Sequence, residues 1–136
     1  MNNKKGEEDE ENADNRTEKR RTGDLGEEVA CIYLKKLGYG IIDRNYLRKY
    51  GEIDIVAKKG CLSYFVEVKS VTHVTSDGYR PEENVHPWKL KRLRRVIQAY
   101  ILEKNVGDDW KFGVITVFLN MKTRKARVSF MEDVVL

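Results

Sequence analysis

The sequence predicts a single α/β domain in which a mixed central sheet is flanked by helices. A chain of 136 residues with 40% hydrophobic content is sufficient for one core. Two segments carry apolar residues at helical spacing, and several short apolar runs have the length and alternation of strands. The expected order is one helix, three strands, a second helix and two further strands. This order indicates a sheet of mixed direction.

Residues 1–22 differ from the rest of the chain, and we predict that they form a disordered, charged tail ahead of a domain at residues 23–136. They contain seven acidic and six basic residues and no large apolar side chain after Met1. The remainder keeps a formal excess of +5, within a net charge of +4 for the whole chain. A basic body suits a polyanion such as DNA, although many proteins with this balance bind none.

The first helix is expected over residues 24–37. Its apolar arc is formed by Ala30, Cys31, Leu34 and Leu37. Glu27 falls within that arc, whereas Glu28 falls on the polar side. Two interpretations of Glu27 remain open: an inward-facing acid that supports a metal site, or a capping box with Asp24 at the helix start.

The second helix is expected over residues 87–104, with Pro87 in the first turn. Lys89 lies on the apolar arc, where it either reaches a reaction cleft or returns its ammonium group to solvent. The outer face of this helix carries four basic side chains, which either follow a phosphate backbone or form an ordinary solvated surface. These four are Lys91, Arg92, Arg94 and Arg95.

Strands are expected over residues 39–47, 111–119 and 126–130, and a hairpin over residues 53–68 with its turn at 58–60. The period of two places Glu52, Asp54 and Val56 on one face of the first hairpin strand. Phe65, Glu67 and Lys69 share a face of the second strand. Paired strands bring such side chains close enough for Asp54 and Glu67 to hold one hard divalent cation.

The simplest alternative for Glu67 and Lys69 is an exposed ion pair of little energetic value. Two observations oppose it. Both strands are apolar enough to be buried, and Asp54 lies directly between Ile53 and Ile55. Buried charges persist when they are paired or bound to a metal, so the pattern indicates a metal-dependent phosphodiesterase.

The spacing Asp54-x12-Glu67-x-Lys69 resembles the PD-(D/E)xK nuclease signature, with Ile53 in place of its proline. Nearly the whole chain after the tail is similar to the YraN-like family, whose members resemble archaeal Holliday-junction resolvases. The matching segments are Gly26-Glu27 with Ala30 and Leu34, Arg44-Asn45, Gly51-Glu52-Ile53-Asp54, Phe65-Val66-Glu67-Val68-Lys69-Ser70, and residues 85–100 with Lys89 and Arg92-Leu93.

The resemblance implies a restriction-endonuclease-like fold and cleavage of structured or branched DNA. It implies that Asp54, Glu67 and the backbone carbonyl of Val68 bind Mg²⁺, with Mn²⁺ as a substitute. Lys69 would orient the attacking water or balance phosphate charge, and Glu27 would support the metal.

Two positions depart from the family pattern. Gly113 stands where an acid is usual, and Val71 where a basic residue is common. These departures keep open a second interpretation, in which the chain is a non-catalytic nucleic-acid-binding or adaptor module that retains the fold.

The remaining features restrict compartment and partners. The chain has no apolar leader segment and no run that could span a membrane, so we expect a cytoplasmic protein with no membrane partner. Cys31 and Cys61 are expected to be reduced thiols. His73 and His86 flank a polar loop and are expected to be ordinary loop residues. A homodimer is compatible with the sequence but is not indicated by it.

Overall fold

The structure is a computed structural model that describes residues 4–72 and 87–136, with side chains described from Thr17 onward. In the described residues the elements are two helices and five strands. In chain order they are α1 (Lys4–Lys36), β1 (Gly40–Arg48), β2 (Gly51–Lys59), β3 (Leu62–Val71), α2 (Pro87–Glu103), β4 (Asp109–Asn120) and β5 (Lys125–Met131). This order confirms the predicted succession of helices and strands.

The five strands form one mixed sheet in the order β1-β2-β3-β4-β5. Strands β3 and β4 are parallel, and the chain between them contains α2, whereas the other three pairs are antiparallel. A parallel pair requires a crossover, which α2 supplies. The α/β class and the mixed sheet are therefore confirmed, while the narrower restriction-endonuclease-like fold stays a prediction.

The two helices pack on opposite faces of the sheet. Ala30, Cys31 and Leu34 of α1 belong to one buried cluster with Ile55 and Val66. On the other face the cluster joins α2 to alternate residues of the same strands, and it contains Leu93, Val96, Ile97, Tyr100, Val56, Phe65 and Val114. Because strand side chains alternate, β2 and β3 contribute apolar residues to both layers and are buried on both sides.

Helix α1 begins at Lys4, so the predicted helix start at Asp24 was wrong. Residues 4–22 are rich in Glu, Lys and Arg, which favour helix, and the segment contains no proline. Thr17 through Arg21 are nevertheless exposed, in agreement with a segment that lacks core residues. The expected boundary between a tail and the domain near residue 22 stays a prediction.

The β2–β3 hairpin closes at Gly60 and Cys61, so only Gly60 of the predicted turn 58–60 lies in the turn, and Lys58 and Lys59 belong to β2. Lys59 pairs with Leu62, and Gly60 between them has φ of 62°, a left-handed conformation that glycine adopts without steric cost. Cys31 is buried, Cys61 is exposed, and both thiols are free. The expectations for His73 and His86 lie outside the described residues. Within the described ranges, neither helix is long and apolar enough to cross a membrane.

Candidate active site

The candidate site lies where β2 and β3 separate. Their hydrogen-bonded register runs from Lys59↔Leu62 to Ile55↔Val66 and ends there. Asp54 and Glu67 are the next residue on each strand. Beyond the last pair, the backbone N–H of Val68 donates a hydrogen bond to Asp54 Oδ2 at 2.8 Å. A side-chain carboxylate has therefore replaced backbone pairing at this end of the hairpin.

The strand alternation breaks at Asp54. Ile53 packs in the α2 cluster and Ile55 in the α1 cluster, although strict alternation places both on one face. Across the sheet, the β1–β2 register pairs Arg44 with Ile55 and Tyr46 with Ile53 and omits the intervening residues. The omitted β1 residue is Asn45, whose φ of 53° is left-handed. The prediction that Glu52, Asp54 and Val56 share one face was therefore wrong, because this local irregularity changes the direction in which the side chains of β2 point.

Asp54 is an acid that the fold removes from water. The pKa of Asp54 is raised from 3.8 to about 7, chiefly by burial, and the carboxylates of Glu27, Glu67 and Glu52 contribute to this rise. The hydrogen bond from Val68 opposes this shift but does not cancel it. Asp54 and Glu67 also line one cleft beneath α2, together with Glu52 and Phe65. The arrangement concentrates negative charge at a point where a cation would be stabilised.

Glu67 is the second acid of this cleft, and only 14% of its side chain is exposed. Its Oε1 forms an ion pair with Lys89 Nζ at 3.0 Å, whereas its buried Oε2 has no hydrogen-bond partner among the described residues. Lys89 therefore reaches the cleft from the first turn of α2, although 40% of its side chain remains exposed. The structure therefore supports the interpretation in which Lys89 reaches the cleft, rather than the one in which its ammonium group returns to solvent.

Lys69 lies two residues after Glu67 on the same strand. Strand β3 continues through it without interruption, since Lys69 pairs with Thr116 in the parallel ladder to β4. Regular alternation thus keeps Glu67 and Lys69 on one face, as predicted. Lys69 is partly buried, and among the described residues it forms no ion pair or hydrogen bond. Within the described ranges, its ammonium group therefore has no structural partner.

The backbone of Val68 is oriented toward Asp54. The N–H and C=O groups of one strand residue point to the same side of the strand, as the exchange of both bonds in an antiparallel pair shows. Because the N–H of Val68 donates to Asp54, its carbonyl oxygen faces the same side of β3. The backbone direction is compatible with the ligand role that the family resemblance implies.

Glu27 reaches this region from α1 and is held by two residues of β1. Arg44 contacts Glu28 at 2.6 Å and Glu27 at 3.9 Å. The amide orientation of Asn45 is assigned from its surroundings, and with its nitrogen toward the acids it donates to Glu27 at 3.0 Å and Glu52 at 3.1 Å. Burial raises the pKa of Glu27, and the Glu52 carboxylate adds to this effect.

The course of α1 excludes one of the two interpretations of Glu27, while its support of a metal site stays a prediction. Helix α1 passes through Asp24 without a start there, so a capping box with Asp24 is excluded. Glu27 instead contributes negative charge to the surroundings of Asp54. Glu52 and Asn45 were not predicted as site residues. The signal that could have found them was their place in two segments that match the YraN-like family, Arg44-Asn45 and Gly51-Glu52-Ile53-Asp54.

The four basic residues on the outer face of α2, Lys91, Arg92, Arg94 and Arg95, are all exposed. Helix α2 contains no acidic residue before Glu103. The surface is therefore available to a polyanion, although contact with nucleic acid stays a prediction. We refer to these four residues as the basic face.

Metal ligands are few. In the part of the chain that the structure describes, no group of three or more His, Cys, Asp or Glu side chains could hold a metal ion by itself. A bound Mg²⁺ would thus rely on two carboxylates and on oxygens from water, backbone or substrate. Mg²⁺ is commonly bound in this way.

Comparison with known proteins identifies the family. The model of an uncharacterised protein family, UPF0102, matches residues 26–117. The chain belongs to this family. A UPF0102 protein of Wolinella succinogenes is 38% identical over 117 residues, which cover 86% of this chain and 98% of the relative. A UPF0102 protein of Caldicellulosiruptor saccharolyticus is 35% identical and covers 85% of this chain and 97% of the relative.

The region that matches the UPF0102 family contains the elements that form the candidate site. It begins at Gly26, beside Glu27, and ends at Val117 in β4, so it includes both hairpin acids, Lys69 and all of α2. It excludes most of α1 and all of β5. The family pattern therefore spans the complete candidate site, and the similarity to YraN-like proteins that the motifs indicated is confirmed at the level of the family.

The two departures from the family pattern differ in position. Gly113 pairs with Val66 and belongs to the α1 side of the sheet, where an added Cβ would lie 2.8 Å from the Phe130 ring. A larger side chain there would meet Phe130 rather than the cleft. Val71, in contrast, follows Glu67 and Lys69 at two-residue intervals at the end of β3. Only the change at position 71 removes a charge from the face that carries the site.

Proposed function

We propose that this UPF0102 protein is a metal-dependent endonuclease that hydrolyses phosphodiester bonds of DNA in the cytoplasm, with structured or branched DNA as the preferred substrate. The observation that carries the proposal is the pairing of a buried acid, Asp54, with Glu67 at the open end of one hairpin. Two acids that are forced together out of water favour a divalent cation as their partner.

Mg²⁺ fits the residues that are present. Asp54, Glu67 and the Val68 carbonyl offer oxygen atoms, the donors that this hard cation prefers, and Mn²⁺ accepts the same set. Within the described part of the chain, the buried Oε2 of Glu67 has no hydrogen-bond partner, which costs free energy unless another ligand satisfies it. Two carboxylates suffice because Mg²⁺ usually retains several waters and binds phosphate oxygens of the substrate.

Each residue of the chain then has a distinct task. A bound Mg²⁺ would supply Lewis-acid polarisation of the phosphate and favour hydroxide formation from water. Lys69, which has no structural partner among the described residues, would orient the water or offset phosphate charge. Glu27 would add negative charge that favours the cation, held in place by Arg44 and Asn45. Lys89 would move from Glu67 to a phosphate oxygen when substrate enters.

The test is a cleavage assay with Mg²⁺ on single-stranded, duplex, flap and four-way-junction DNA. Asp54→Asn, Glu67→Gln and Lys69→Met should each lower the rate by about 100-fold or more, because each removes an electrostatic contribution to the transition state. Glu67→Gln should keep or strengthen DNA binding, since a carboxylate that repels phosphate is neutralised at nearly constant volume. Asp133→Asn is the matched control, because Asp133 is exposed and lies near Lys111 at the opposite end of the sheet.

Metal binding provides a second measurement. Mg²⁺ should raise the melting temperature of the wild type and of Lys69→Met, but not that of Asp54→Asn or Glu67→Gln. Cleavage that survives all three substitutions would contradict the proposed site.

A non-catalytic nucleic-acid-binding or adaptor module is the second candidate function. The Lys89–Glu67 ion pair favours it, because this contact neutralises Glu67 without any metal. The exposed basic face requires neither acid for DNA binding. DNA binding without cleavage on any substrate, together with a melting temperature that does not respond to Mg²⁺ or Mn²⁺, would support this second function.

A further inference from the structure

The ammonium group of Lys89 supplies the positive charge that faces Glu67. Its Nζ lies 3.0 Å from Glu67 Oε1, and only 14% of the Glu67 side chain is exposed. Among the described residues, Lys89 is the one cation that forms an ion pair with either Asp54 or Glu67. A carboxylate so deeply placed costs free energy unless a positive charge faces it. Lys89 therefore stabilises the Glu67 carboxylate when no divalent cation is bound.

The two partners of this ion pair differ in freedom of movement. Glu67 is fixed within the parallel ladder of β3 and β4, where it pairs with Val114. Lys89 lies in the first turn of α2, and 40% of its side chain is exposed. Its four-carbon stem is flexible, so the ammonium group can turn to another anion without movement of the helix. Lys89 is therefore the partner that can leave.

Lys89 contacts one of the two oxygens that Glu67 can offer to a divalent cation. The other oxygen, Oε2, is buried and has no hydrogen-bond partner within the described part of the chain. The ammonium group would face a cation on Oε2 across a single carboxyl group, and like charges at such a separation repel. Lys89 and a divalent cation therefore compete for Glu67, and withdrawal of Lys89 raises the affinity of this carboxylate for metal.

We propose that Lys89 is a displaceable counter-ion that couples metal binding to DNA binding. Without DNA, Lys89 neutralises Glu67 and weakens its affinity for Mg²⁺. A phosphate group bound along the neighbouring basic face of α2 attracts the ammonium group away, and the released carboxylate binds the cation more tightly. This inference rests on the proposed function and adds its regulation, since the site acquires metal chiefly together with the substrate. By thermodynamic linkage, the cation strengthens DNA binding by the same factor.

Metal binding without DNA gives the first test. Lys89→Met keeps an apolar stem but removes the ammonium group, so it should lower the melting temperature of the full-length protein in EDTA. Mg²⁺ should restore most of this loss, and calorimetric titration should show Mg²⁺ binding about 10-fold tighter than in the wild type, because Glu67 has lost its counter-ion. Glu67→Gln in the Lys89→Met protein should abolish the gain in affinity.

Two further variants separate competition from a general loss of charge. Lys58→Met is the matched control, because Lys58 Nζ forms an ion pair of similar length, 3.1 Å, with Asp108 at the other end of the hairpin. Its Mg²⁺ affinity should stay within about twofold of the wild type. Lys89→Arg keeps the charge and should bind Mg²⁺ no more tightly than the wild type, with stability retained in EDTA. A loss of stability in Lys89→Met that Mg²⁺ does not restore, with unchanged Mg²⁺ affinity, would overturn the inference.

Coupling to DNA gives the second test. The affinity for a duplex is measured in Mg²⁺ and in EDTA at equal ionic strength, and gel analysis verifies that the duplex stays intact. The ratio of the two affinities should be at least about fivefold larger in the wild type and Lys58→Met than in Lys89→Met, the lower end of typical coupling between sites. Equal ratios in the three proteins would contradict the coupling through Lys89.

Failure of this inference is distinguishable from failure of the proposed function. Tighter Mg²⁺ binding by Lys89→Met that depends on Glu67, with no cleavage by the wild type on any substrate, would retain the counter-ion and reject the nuclease. Metal-dependent cleavage by the wild type, with equal Mg²⁺ affinity in the wild type and Lys89→Met, would retain the nuclease and reject the counter-ion.

Discussion

Asp54 is the residue at which the requirements of burial and charge conflict. Its flanking isoleucines hold the strand in the core, and its charged neighbours on α1, on β3 and on β2 itself are acids rather than bases. A single hydrogen bond from Val68 stabilises the carboxylate. Such a residue destabilises the protein whenever it is ionised, which is characteristic of a position kept for function.

This conflict predicts a specific dependence of stability on pH. Because the pKa of Asp54 is raised from 3.8 to about 7, the folded state binds the proton more tightly than the unfolded state. Its contribution to stability is therefore present below pH 3.8 and is lost as the pH rises toward 7. Relative to the wild type, Asp54→Asn should gain up to about 4 kcal/mol in the free energy of unfolding between pH 4 and pH 8.

The measurement is denaturant unfolding of both proteins across this pH range without divalent metal. Asp133→Asn again serves as the control and should follow the wild type. A constant difference between Asp54→Asn and the wild type at all pH values would show that Asp54 is ionised over the whole range. The elevated pKa would then be wrong.

At the scale of elements, the approach of α1 to β3 determines how Glu27 meets the site. Gly26 is buried against Ser70, and a Cβ added at Gly26 would lie 1.8 Å from Ser70 Oγ and 3.0 Å from Ser70 Cβ. Only glycine permits this approach. The pair Gly26-Glu27 therefore combines a contact point for the helix with the acid that the contact positions.

A matched pair of glycines in α1 tests this contact. Alanine is favoured over glycine in a helix interior by about 1 kcal/mol, so Gly23→Ala, with nothing within 4 Å of the added Cβ, should stabilise the protein. Gly26→Ala should destabilise it despite the same propensity, because Ser70 must shift to accommodate the methyl group. Thermal unfolding of the two variants checks the opposite signs; two stabilised variants would show that α1 is not packed closely on β3.

The end of α2 is held to the sheet by polar contacts that the sequence did not indicate. Glu103 accepts two hydrogen bonds from Arg48 at 2.7 Å and one from Tyr46. Tyr100 also packs edge-on against Tyr46 with ring centroids 4.9 Å apart. These contacts tie α2 to β1 and hold the basic face at a fixed position relative to the hairpin acids.

At the scale of the whole molecule, an acidic region and a basic region lie next to each other at the candidate site. The acids Glu27, Glu52, Asp54 and Glu67 surround the end of the hairpin, whereas the basic face covers α2 beside it. A nucleic acid on the basic face would bring its phosphates near the acids, where a divalent cation would relieve the repulsion. Binding and catalysis would thus be adjacent but separable.

Salt dependence of DNA binding tests the basic face. Lys91 and Arg94 belong to that face, whereas Arg92 and Arg95 also contact aromatic rings, so reversal of Lys91 and Arg94 to Glu removes charge without disturbing those two contacts. The slope of log affinity against log salt for duplex DNA should fall by about 2, since each neutralised phosphate contributes about 0.9. Reversal of Lys122 and Lys125, exposed at the β4–β5 turn, should leave the slope unchanged. An unchanged slope in the α2 variant would place the DNA surface elsewhere.

The sequence by itself determined the features that depend on local pattern. Alternation and turn residues predicted the hairpin and the face shared by Glu67 and Lys69, and helical spacing predicted Ala30, Cys31 and Leu34 as inward residues of α1. Leu37 was wrongly predicted among them, because α1 ends at Lys36 and leaves Leu37 exposed. Spacing along the paired strands predicted that Asp54 and Glu67 lie next to each other on β2 and β3. The other predictions held because each depends on residues within a few positions of one another or on a single tight turn.

Only the tertiary structure decided the details of the site. Local periodicity contains no information about where a register ends, so the separation of β2 and β3 after Ile55↔Val66 could not be read from it. The side-chain alternation of β2 breaks opposite the left-handed Asn45 of β1, so Ile53 and Ile55 lie on opposite faces of the sheet. Glu52 and Glu27 likewise meet Asn45 from distant segments. Long-range pairing, which alternation within one strand does not encode, therefore fixed which acids surround Asp54.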